Sequence, residues 1–92
     1  MRFNLFFNKK IKLLKDILND SKELITNRDY ENALSLIDNN ECSLALELIC
    51  EQLFEYDKKV SLNLYNKIKD VGEYYKVDGS ILELVKNQVN QE

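Results

Sequence analysis

The segment from Glu41 to Asp57, E-C-S-L-A-L-E-L-I-C-E-Q-L-F-E-Y-D, constrains the fold most, because at helical spacing it is apolar on more than one side. At about 100° per residue, Cys42, Ala45, Leu46, Ile49, Leu53 and Tyr56 share one arc about 100° wide, which predicts a buried helix face. Glu47, Glu51 and Glu55 recur every four residues and stack into an acidic ridge almost opposite that arc. Leu44 and Leu48 run along the same ridge. A helix of this kind is central, with neighbours on both flanks, or its second side holds a partner.

The rest of the chain reads as helices built around that segment. It has 92 residues, no Pro and only two Gly, enough for one small core and nearly free of helix breakers. From Lys9 to about Ile25, the positions Ile11, Leu13, Leu14, Ile17, Leu18, Leu24 and Ile25 form a wide apolar face. Lys12, Lys15, Asp16, Asn19, Asp20, Lys22 and Glu23 lie largely opposite it. Thr26 and Asp29 approach a capping box ahead of a second helix from about Arg28 to Asp38, with Tyr30, Ala33, Leu34 and Ile37 inward. Asn39-Asn40 supplies the stop and Glu41 opens the third helix.

Asp57-Lys58-Lys59 interrupts the pattern, and Ser61 caps a fourth helix carrying Leu64, Ile68, Val71 and Tyr75 on one face. Gly72 beside that face predicts the close approach of another helix, since Gly there costs roughly 1 kcal/mol relative to Ala. Asp78-Gly79-Ser80 ends the fourth helix and starts a short fifth, with Ile81, Leu82, Val85 and Val89 inward. The expected fold is all-α, a single-domain bundle of about five helices over residues 1–92 with a central third helix. Residues 1–8 either pack onto the domain or form a loosely attached segment, and the tail Asn90-Gln91-Glu92 is frayed.

Charge is unevenly spread. Residues 1–15 hold five of the thirteen basic residues (Arg2, Lys9, Lys10, Lys12, Lys15) and no acid, leaving eight basic against sixteen acidic residues in the remainder. An acidic body repels nucleic-acid backbones and speeds encounter with basic proteins. The apolar start, with Phe3, Leu5, Phe6 and Phe7, is too short for a membrane span, and most of its positive charge follows it, the reverse of a secretory signal. It reads as packed onto the domain rather than as a membrane-surface helix. Cys42 and Cys50 lie about 12 Å apart along one helix, beyond disulfide reach, so they read as free structural thiols in a reducing cytoplasm.

No catalytic constellation emerges. The chain has no His, hence no imidazole base, triad or His ligand, and no Gly-rich phosphate loop. The Glu-x-x-His motif of helical di-iron sites is absent, although Glu47 and Glu51 have carboxylate spacing. The expectation is a protein without enzymatic activity, cofactor or metal, which acts by binding.

The run Leu44-Ala45-Leu46-Glu47-Leu48, then Gln52-Leu53-Phe54-Glu55-Tyr56-Asp57, then Tyr65, Ile68 and Val71-Gly72-Glu73 resembles the MafI-type immunity proteins of bacterial polymorphic-toxin systems. The resemblance covers about Tyr30 to Tyr75, and the Q-L-aromatic-E-Y-D segment is its most specific part. Ser43 stands where that family commonly has Gly, and Lys58-Lys59 replaces an apolar-Pro pair. The resemblance implies a small cytoplasmic protein that neutralises a cognate toxin domain, often a nuclease such as an RNase. The composition equally fits a helical adaptor or regulator with no toxin partner. Glu47, Glu51, Glu55, Leu44, Phe54 and Asp57 are the candidate partner-binding residues, as a polar rim beside apolar side chains. A plain solvated helix face has the same acidic stripe.

Overall fold

The computed structural model describes the backbone of residues 5–89 and the side chains of residues 9–89. The side chains of Phe3, Leu5, Phe6 and Phe7 and the tail 90–92, discussed above, lie outside the described residues, as does any loose attachment of residues 1–4. Five helices follow in order: α1 (Leu5–Asp20), α2 (Asn27–Asp38), α3 (Cys42–Glu55), α4 (Leu62–Tyr74) and α5 (Gly79–Lys86). Among the described residues the one β feature is an isolated parallel bridge between Val60 and Val89.

The helices pack in two layers. Helix α3 lies between α2 and α5, while α1 and α4 pair behind them, so α3 alone contacts all four other helices. Two ion pairs hold the back layer, Lys10 to Asp70 at 2.7 Å and Lys67 to Asp20 at 2.8 Å. The core runs through both layers, with Leu14, Ile17, Leu18, Leu46, Ile49, Leu53, Ile68, Val71 and Val85 buried. Inter-layer packing, rather than surface ion pairs worth at most about 1 kcal/mol each, therefore holds the fold.

Local chemistry sets the ends of the helices. The Thr26 hydroxyl accepts the Asp29 N–H, Ser61 accepts the Leu64 N–H, and Asp78 accepts the Ser80 N–H, satisfying donors that each helix start leaves free. Asn40, Asp57 and Lys76 each take a left-handed conformation just past α2, α3 and α4. In each case the next N–H turns back to the carbonyl five residues earlier, as Glu41 does to Leu36, Lys58 to Leu53 and Val77 to Gly72. The end of α4 is thus made at Lys76, two residues before the expected Asp78.

Two sequence expectations are corrected. Helix α1 ends at Asp20 and not near Ile25: the buried Ser21 hydroxyl donates to the Ile17 carbonyl at 2.8 Å, and tight turns carry the chain through Ile25. Tyr56 is not a core residue. It sits one position past α3, 37% exposed, with its hydroxyl engaged on α2. Cys50, left off the predicted arc, is fully buried, which widens the buried face of α3. Gly72 does sit at a close approach: a Cβ there would stand 2.7 Å from Leu82 Cδ2, the contact that brings α5 against α4.

Candidate partner-binding face

Because α3 is the middle helix of the front layer, its sides are covered by α2 and α5 and its back by α1 and α4, which leaves one longitudinal face bare. Leu44, Glu47, Glu51, Phe54 and Glu55 share that face, within about 100° of one another around the axis. Leu44 is 50% and Phe54 46% exposed, Glu51 and Glu55 are exposed, and Glu47 is half-buried. Among the described residues none of the three glutamates forms an ion pair. Leu48, on the α2 side, is half-buried against the core. Five of the six candidate residues are thus brought together.

Asp57 stands apart. It lies in the turn beyond α3, and its carboxylate accepts a hydrogen bond from Gln88 Nε2 at 3.3 Å. The same amide donates to the Lys58 carbonyl at 2.9 Å, while the Gln88 carbonyl accepts the Val60 N–H. The segment after α5 therefore fastens the corner at which α3 ends, and Asp57 is an exposed residue of a pinned turn rather than part of the stripe.

Sequence reasoning missed the polar contact that fixes α3 against α2. Asp29 Oδ2 accepts hydrogen bonds from Gln52 Nε2 at 3.0 Å and from the Tyr56 hydroxyl at 2.9 Å. Burial favours the neutral carboxyl, but donors from Gln52, Thr26 and Tyr56 outweigh it and hold the Asp29 pKa below the usual carboxylate value. Hydrogen bonding to Asp29, with partial burial, raises the pKa of Tyr56 in return. The Gln and Tyr of the Q-L-F-E-Y-D run thus face inward on α2, while its Phe54 and Glu55 face outward. The i, i+4 spacing of Gln52 and Tyr56 was the available signal, but their partner is 23 residues or more away.

The remaining reactive groups are inert in this setting. Burial, followed by the charges of Glu51 and Glu47, pushes the Cys50 thiol up to about 12, so it is a neutral core group. The Tyr75 hydroxyl is buried without a hydrogen-bond partner among the described residues. Desolvation first and the neighbouring Cys42 second raise its pKa. No group of three or more His, Cys, Asp or Glu able to hold a metal occurs among the described residues. No described helix is long and apolar enough to cross a membrane.

The class that fold and face define is a small all-α domain presenting one bare, acidic and partly apolar helix face. Compared with protein-family models, with curated proteins and with solved structures, the chain matches none.

Proposed function

We propose that this chain is an immunity protein of the MafI type, which binds and neutralises a cognate toxin domain with a basic surface, such as a nuclease, in the cytoplasm of the cell that makes both. The observation that carries the reading is the bare face of α3, where Glu47, Glu51 and Glu55 form no ion pair among the described residues and lie beside the exposed Leu44 and Phe54. Charged groups around an apolar centre compose a specific interface, and the negative field raises the rate of encounter with a basic partner. The resemblance over Tyr30 to Tyr75 supplies the class of partner. Action by binding rather than catalysis agrees with a chain that has no histidine and carries its ridge carboxylates on a surface.

The test is co-expression with a basic toxin domain taken from a neighbouring reading frame. Restored growth and a complex that survives purification are expected. A toxin that stays lethal and unbound in the presence of folded protein contradicts the reading and favours a helical adaptor with a different partner.

A further inference from the structure

The two layers differ in charge. The front layer carries a net five negative charges: α2 has one basic and three acidic residues, α3 three acidic and none basic, and α5 one of each. The back layer carries a net two positive charges, with four basic and two acidic residues on α1 and two of each on α4. The positive excess is concentrated on the outward face of α1, where Lys9, Lys12 and Lys15 are exposed and form no ion pair among the described residues. Asp20 is held by Lys67 and Asp70 by Lys10, so neither neutralises that row, while Asp16, exposed on the same face between Lys9 and Lys12, leaves it a net two positive charges.

Shape follows charge. A recess of about 380 Å³ on the back layer is lined by Leu13, by Lys9 and Lys12, by Asp16, and by the ion-paired Lys10 and Asp70. On the front layer the half-exposed Phe54 stands at one edge of the acidic stripe, beside Glu51 and Glu55. The acidic stripe spans about 12 Å along its helix and the basic row about 9 Å, so the shorter row fits within the length of the stripe. Both faces point outward from different layers, which allows one molecule to use both at once.

We propose that a second copy of this chain occupies the bare face of α3: the acidic stripe of one molecule docks on the basic row of α1 in the next, with Phe54 entering the recess beside Leu13. Pairing of two α3 faces is disfavoured, because it sets like charges against each other. The contact is heterologous, so association proceeds head to tail, into rings or short open chains, and not to a symmetric dimer. Held mainly by exposed charges, it is weak and salt-sensitive. The proposal shares the α3 face with the toxin reading but does not rest on it, and its test contains no toxin.

The test is sedimentation of the full chain at rising concentration, at low salt and at about 1 M salt, where the Debye length falls to about 3 Å. Concentration-dependent association at low salt that disappears at high salt is expected. Lys12→Gln with Lys15→Gln removes one face, and Glu47→Gln with Glu51→Gln removes the other. Each pair of substitutions weakens self-association at least about tenfold, the equivalent of 1.4 kcal/mol. Mixed together, the two variants form a species that stops at two molecules, since one supplies the intact acidic face, the other the intact basic face, and the outer ends are blocked. Phe54→Ala, which leaves the charges in place, also weakens association. A wild-type chain that stays monomeric at low salt overturns the proposal, as does association indifferent to salt and to both sets of substitutions.

Discussion

The Tyr56 hydroxyl donates to Asp29 Oδ2 across 2.9 Å, tying the end of α3 to the first turn of α2. The carboxylate it meets is held below its ordinary pKa by the donors around it, against the opposing effect of burial. The folded-state pKa therefore lies below the unfolded value, and this contribution to stability is present above the usual carboxylate range and lost as pH falls through it. Asp78, held down by the Ser80 N–H and hydroxyl, acts in the same direction. Asp29→Asn is expected to lower stability at neutral pH and to flatten the loss between about pH 5 and pH 2, with Asp78 leaving a remainder. Denaturant titrations across that range check it; an unchanged pH slope in the variant contradicts it.

Ile49 is fully buried at the centre of the α3 face that meets the back layer. Its truncation to Ala removes three side-chain carbons from a packed interior and is expected to cost roughly 2 to 5 kcal/mol. Glu51→Ala, two residues on and about 200° round the helix on the bare face, is expected to change stability by no more than about 0.5 kcal/mol. Urea unfolding of the two variants distinguishes the inner from the outer side of the helix. Similar effects would mean that the helix faces the wrong way.

Gly72 and Leu82 form a close contact between α4 and α5, with room for no Cβ at Gly72 unless Leu82 moves. Gly72→Ala gains about 1 kcal/mol of helix propensity and loses a comparable or larger amount to overpacking. With Leu82 already truncated to Ala, only the gain remains. A double-mutant cycle is therefore expected to give a coupling of at least about 1 kcal/mol, and Gly72→Ala should stabilise the Leu82→Ala protein by about that amount. Additive effects would show that Leu82 is not what selects glycine.

The parts of this fold legible in sequence are those written in local pattern. Apolar residues on more than one side of Glu41–Asp57 predict a central α3, and Thr26, Ser61 and Asp78 announce helix starts because a cap acts within three residues. The outward stripe of Leu44, Glu47, Glu51, Phe54 and Glu55 follows from periodicity as well. What was not legible depends on which element covers which. Tyr56 has the angular position of a core residue but lies past the last turn, where its hydroxyl finds Asp29, and Cys50 is buried because α3 is covered on its flank as well as its back. The early end of α1 lies in the tight turns from Ser21 to Ile25, where backbone bonds close over three residues, a local choice that apolar spacing does not signal.

The most direct test of the proposed function is the binding kinetics of the Glu47→Gln, Glu51→Gln, Glu55→Gln triple variant with a basic toxin domain taken from a neighbouring reading frame, at two salt concentrations. The account predicts slower association with a flattened salt dependence, and weaker protection of cells that express the toxin. A single glutamate buried against a toxin Arg or Lys would add faster dissociation, by about 2 to 5 kcal/mol for that residue. A triple variant that folds normally, binds with both rate constants unchanged and protects fully would contradict the account, leaving this face as solvated surface.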